Sequence, residues 1–148
     1  MKKFTLLLAL SILINVVTTS AQSQLAADRN TTAFDGYDLT EFFNSKVVKG
    51  SKEFAYQYQG VNILFASQEN LELFKSDPGK YFPSYGGWCA IAMTEDTFVI
   101  PDYRSYKIQD GRLFFFRVKA FFNGLAQWNK KPDKNVMLAD KNYFSHFD

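Results

Sequence analysis

Tyr106-Lys107-Ile108-Gln109-Asp110-Gly111-Arg112-Leu113-Phe114-Phe115-Phe116 reads as two strands joined by a two-residue turn. Asp-Gly supplies the positive φ that a tight hairpin turn needs, so the segment predicts an antiparallel hairpin. Upstream, Phe54-Ala55-Tyr56-Gln57-Tyr58-Gln59 alternates with period two, Gly60 interrupts it, and Val61-Asn62-Ile63-Leu64-Phe65 follows as a second strand. That is a second hairpin by the same logic. After it, Ser67 is placed to cap a helix with Leu71 and Phe74 on one side and Glu69, Glu72 and Lys75 on the other. Asp77-Pro78 stops that helix.

Working outward, Asp38 with Glu41 three residues later has the spacing of a capping box, predicting a short helix that buries Leu39, Phe42 and Phe43 beside Phe34. Residues 98–100 read as a brief extended piece. Val118, Phe121, Phe122, Leu125 and Trp128 recur at helical spacing, and Lys130-Lys131-Pro132 closes the helix this predicts. A last short helix is predicted over residues 133–140. Hairpins and helices interleave with no long βαβ pattern. The implied class is α+β, a small single domain with antiparallel β-hairpins and short packed helices. No internal repeat and no low-complexity tract is read.

The chain has 148 residues, 47% of them hydrophobic, with 16 Phe, 8 Tyr and 2 Trp. That aromatic load excludes disorder for most of the chain, and the length suits one core. Residues 1–21 combine Lys2 and Lys3, an apolar run over residues 4–17 and the small residues Thr19, Ser20 and Ala21. This is the layout of a secretory signal peptide cleaved after Ala21, and the run is short for a membrane span. Residues 22–32 read as a linker and 33–148 as the folded domain. The expected product is exported, periplasmic or extracellular, with no integral membrane segment. Without Lys2 and Lys3 the 17 basic residues become 15, equal to the 15 acidic ones. Nucleic-acid binding loses its electrostatic basis.

Cys89 stands alone, so no intramolecular disulfide forms. In an oxidising compartment an unpaired thiol is either buried and inert or accessible and active. The single His146 excludes multi-histidine zinc catalysis, and a Ser-His-Asp arrangement would need the C-terminal tail to fold back. Tyr37, Tyr81, Tyr85, Trp88, Tyr103 and Tyr106 suit a core better than a pocket for a flat ligand. Asp35, Asp38, Asp102 and Asp110 read as caps and turns, with turn chemistry accounting fully for Asp38 and Asp110. Arg112, Arg117 and Lys119 read as solvated flanks of an apolar run.

Several separated motifs occur in order: Ala33-Phe34-Asp35-Gly36-Tyr37-Asp38, Lys49-Gly50-Ser51-Lys52-Glu53-Phe54, Leu64-Phe65-Ala66-Ser67, Asp77-Pro78, Lys80-Tyr81 and Tyr85-Gly86-Gly87-Trp88-Cys89-Ala90. Over residues 33–142 the chain resembles the exported YHS domain-containing (seleno)proteins. The resemblance implies a cysteine just after the second hairpin strand and another one helical turn later, holding a soft or borderline metal. Here those positions read Ala66 and Asn70. The "seleno" label implies selenol or thiol chemistry at the position of Cys89.

The readings that follow centre on Cys89. A small exported binding or accessory module would use Cys89 for any chemistry, with Tyr85, Gly86, Gly87 and Trp88 as binding residues and the glycines opening space for a ligand. A thiol-dependent redox enzyme would use Cys89 singly, without a resolving cysteine. A copper site would pair Cys89 with Met93, at i+4 on the same helical face. An interaction domain would leave Cys89 in the core. The partner would be a small molecule, a metal or a thiol protein.

Overall fold

The computed structural model describes residues 25–26 and 31–147, and the predicted signal peptide lies outside them. Three antiparallel two-stranded hairpins and five α-helices build an α+β domain. Hairpin β1 (Ser51–Tyr58) with β2 (Val61–Phe65) and hairpin β3 (Asp102–Gln109) with β4 (Arg112–Phe116) lie where the strand alternation predicts. Helix α1 (Gln68–Ser76) starts on Ser67, whose hydroxyl accepts the Asn70 N–H, and buries Leu71 and Phe74. Asp77 ends α1 and caps the one-turn helix α2 (Pro78–Tyr81).

Several expectations fail at helices. The capping box at Asp38 does not form: residues Glu41–Asn44 make a 3-10 turn, and Asp38 is directed elsewhere. The helix predicted over residues 118–128 is instead a small hairpin, β5 (Val118–Lys119) with β6 (Phe122–Asn123), followed by helix α4 (Gly124–Trp128). Asn123 caps α4 by accepting the Ala126 N–H at 3.0 Å, so the helix starts there. Helix α3 (Ala90–Met93) follows Cys89, and α5 (Pro132–Ser145) runs past the predicted end at 140. Pro132 starts α5 rather than ending α4, as a first-turn proline does.

The structure overturns the absence of a repeat. Adding 51, the difference 85 − 34, to the pairs Ser51↔Phe65, Ala55↔Leu64 and Tyr58↔Val61 gives Asp102↔Phe116, Tyr106↔Phe115 and Gln109↔Arg112, and both hairpins carry the same register shift. The left-handed residues obey the same offset: Phe34 with Tyr85, Asp35 with Gly86, Ser45 with Asp96, Gln59 with Asp110. So do loop hydrogen bonds. Asp38 N–H to Val48 C=O matches Cys89 N–H to Val99 C=O, both 2.9 Å, and Lys46 N–H to Glu41 C=O matches Thr97 N–H to Ala92 C=O. One structural unit thus occurs twice, over residues 33–66 and 84–117. Few side chains are shared between the copies, because a backbone pattern constrains only residues at turns and core positions.

The two units share a wall. Strand β4 sends Leu113 and Phe115 into one core with Phe34, Phe42, Phe65 and Phe74, and Phe114 and Phe116 into the other with Tyr85, Met93 and Trp128. Period-two alternation on a strand buried on both faces produces this division.

Candidate functional site

The first unit concentrates polar groups where β2 meets α1. Asp38 is fully buried, yet each carboxylate oxygen is satisfied. Oδ1 accepts the Thr40 N–H at 2.9 Å and the Thr40 hydroxyl at 2.7 Å, while Oδ2 accepts the Ala66 N–H and the Asn70 amide, each at 2.8 Å. The Asn70 Nδ2 also donates to Glu41 Oε1 at 2.9 Å. Turn chemistry therefore accounts for half of Asp38, the Thr40 contacts; the other half ties the N-terminal loop to the hairpin and helix. A buried carboxylate is tolerated only with such a set of donors.

Cys89 stands at the equivalent place in the second unit. It is 0% exposed, and its Sγ accepts the Arg117 N–H at 3.2 Å, as Asp38 accepts the Ala66 N–H. The thiol precedes α3 as its flanking residue, and its side chain makes no cap bond to that helix. Met93 is one turn on, its N–H bonded to the Cys89 carbonyl, and is equally buried. By the offset Met93 corresponds to Phe42, so it fills core space that an aromatic ring fills in the first unit.

The residues around Cys89 are likewise engaged with the protein itself. A Cβ on Gly87 would lie 2.5 Å from Phe34, so the space this glycine leaves is taken by a core ring and not by an open cleft. The Gly86 carbonyl accepts the Ala26 N–H at 2.9 Å, which lays the buried residues Leu25 and Ala26 of the predicted linker across it. Trp88 packs edge-on against Phe98, and its buried Nε1 has no acceptor among the described residues. Tyr85 is buried and its hydroxyl donates to Asp140 Oδ1 at 2.8 Å.

That last contact belongs to a second polar cluster, at the seam between β4 and α5. Arg112 donates to both oxygens of Asp140, at 3.0 and 2.8 Å, and to the Ser84 hydroxyl. Its reading as a solvated flank is corrected: the guanidinium is half-buried beneath α5. Burial pushes the Asp140 carboxyl up, but hydrogen bonds from Arg112 and Tyr85 and the Arg112 charge outweigh it and hold the group below the ordinary carboxylate value. Burial, then the bond to Asp140, drives the Tyr85 hydroxyl well above the usual phenol range. Arg117 too is more than a flank, since its guanidinium donates to the Ile100 carbonyl.

The six aromatic residues weighed as a pocket divide between the two cores. His146 does fold back, but onto Asp96, at 2.5 Å, and the ring of Phe98. No group of three or more His, Cys, Asp or Glu that could hold a metal ion is found among the described residues. No helix among them is long and apolar enough to cross a membrane.

A YHS domain, of a family linked to metal and in particular copper binding, is found at residues 39–85. The match takes in the Ala66 and Asn70 positions and ends before Cys89; it covers less of the chain than the resemblance. No curated protein and no solved structure matches the chain. The residues present do not fit the family's metal. Ala66 has no donor side chain, and the Asn70 amide is committed to Asp38 and Glu41. In the second unit the residue corresponding to Ala66 is Arg117, and no cluster of His, Cys, Asp or Glu that could hold a metal ion surrounds Cys89 and Met93 among the described residues.

Sequence reasoning missed both polar clusters and the duplication. The last had a signal: aromatic-X-Gly-aromatic at Phe34-Asp35-Gly36-Tyr37 and Tyr85-Gly86-Gly87-Trp88, with X-Gly turns at Gln59-Gly60 and Asp110-Gly111 following at equal spacing.

Proposed function

We propose that this chain is an exported binding or accessory module, a doubled YHS-type unit that acts through its surface, with Cys89 as a core residue that satisfies a backbone N–H. The observation that carries the reading is the equivalence of Cys89 with Asp38. Each side chain accepts the amide that follows the second strand of its hairpin. The apolar N-terminal run supports export, and the balanced charge of the remainder speaks against nucleic acid as partner.

Native protein treated with a thiol-alkylating reagent, and the same protein in urea, test this directly. Cys89 reacts only as fast as the chain unfolds, and protein reconstituted with Cu(I) or Zn(II) and desalted carries no stoichiometric metal. Rapid native alkylation with a half-maximal rate below about pH 7.5 overturns the reading in favour of a redox thiol. One bound copper per chain, lost in both Cys89→Ser and Met93→Leu, overturns it in favour of a soft-metal site. The redox reading draws on one observation, the Arg117 N–H aimed at Sγ, which stabilises an anion there.

A further inference from the structure

The two units differ most just after their second strands. In the first, Ala66 leads straight to the helix cap Ser67; in the second, residues 118–122 intervene between Arg117 and the cap Asn123 and build the β5–β6 hairpin. The fold does not need this insertion, since the first unit reaches its helix without it. Phe121, at the turn, is 103% exposed, and Val118 and Phe122 are each 41% exposed. Phe122 also forms one wall of a cleft of about 440 Å³ with Ile91 and Ala92, rimmed by Lys130 and Lys131. Lys119 pairs with Phe122 across the hairpin. Lys119, Lys130 and Lys131 are exposed and make no ion pair among the described residues.

We propose that the β5–β6 hairpin is a docking finger for an anionic lipid surface, with Phe121 and Phe122 entering the interface and Lys119, Lys130 and Lys131 meeting lipid phosphates. The composition selects this occupant. Aromatic side chains flanked by lysines match the interfacial zone of a bilayer, where rings sit at headgroup depth and long cationic side chains reach the phosphates. Protein interfaces are depleted in lysine at their centres. The lysines also form a local positive field on a chain whose 15 basic residues beyond Lys3 only equal its 15 acidic ones, and that field is complementary to an anionic leaflet. Glu95, on the cleft rim, is the opposing charge at the site.

This inference gives the accessory module a partner and rests on that reading only for the chain's acting through its surface. A reactive Cys89 would sink the earlier reading and leave the hairpin result unchanged. The test is co-sedimentation of the full chain with vesicles of equal parts phosphatidylglycerol and phosphatidylcholine, and with phosphatidylcholine alone. Wild type binds the anionic vesicles, Phe121→Ser binds about tenfold more weakly, and Lys130→Glu with Lys131→Glu abolishes the preference for anionic lipid. In a second measurement Phe121→Cys carries an environment-sensitive fluorophore, whose emission shifts to the blue on anionic vesicles and not on neutral ones. This local readout is independent of residues 1–21. Wild-type binding no tighter than that of Phe121→Ser, or an unshifted fluorophore, overturns the proposal. So does self-association without lipid that Phe121→Ser abolishes, which would assign the tip to a second copy of the chain.

Discussion

Asp38 and Cys89 occupy the same place in two copies of one structural unit. Asp38 accepts the Ala66 amide at 2.8 Å and Cys89 accepts the Arg117 amide at 3.2 Å. The carboxylate has three further donors around it, whereas the Arg117 amide is the one donor to the buried sulfur among the described residues.

That difference predicts unequal costs of removal. Asp38→Ala strands the backbone amides of Ala66 and Thr40 and the Thr40 hydroxyl, and is expected to cost about 3 kcal/mol or more. Cys89→Ala loses one weak acceptor and a little volume, about 1–2 kcal/mol. Urea denaturation of both variants checks the order; equal losses would contradict it.

The Arg112–Asp140 pair predicts an acid dependence of stability. Its folded-state carboxyl titrates below the value near 3.9 of an unfolded aspartate. A depressed folded value means stability that is fully present above about pH 4 and is lost as pH falls through the lower folded value. Asp140→Asn should remove this part of the acid transition and cost about 1–3 kcal/mol at neutral pH. Denaturation midpoints measured from pH 7 down to about pH 2 for wild type and variant provide the comparison.

Gly87 and Gly111 both have positive φ, but only Gly87 faces a packed neighbour. Gly111→Ala meets open space and is expected to cost about 1 kcal/mol in backbone strain. Gly87→Ala adds a clash with Phe34, which is itself held by Phe82, Tyr103 and Phe115, and should cost about 2 kcal/mol more. Thermal melts of the two proteins distinguish core packing at Gly87 from an open ligand cleft, where the costs would be equal.

The caps of α1 and α4 offer a test of the inserted hairpin. Ser67 and Asn123 make the same side-chain bond to the third helical N–H, at 3.1 and 3.0 Å. Each substitution to Ala is expected to cost about 1 kcal/mol. A helix running through residues 118–128 would make Asn123→Ala neutral or stabilising instead.

The two principal hairpins and α1 were legible in the sequence because their signals are local: X-Gly turns, alternation, a serine cap. The segment at 118–128 was misread because five apolar residues at helical spacing outweighed the Asn123-Gly124 start signal hidden among them. Capping chemistry at Asn123, closer in sequence, decided against the longer helix. At the candidate site the motif around Cys89 was visible, but the burial of its sulfur was not, since Cys89 is held against Phe115 and Arg117, both remote along the chain.

By itself the sequence determined an α+β class, two strong hairpins, and a likeness to YHS proteins in which Ala66 and Asn70 stand where that likeness implies cysteines, all written in residue identity at short spacing. Tertiary structure alone decided that Asp38 is a buried anchor, that Arg112 clasps Asp140, and that Phe121 projects into solvent. Each of these depends on which distant segments meet, and packing geometry fixes that meeting through contacts no local pattern encodes.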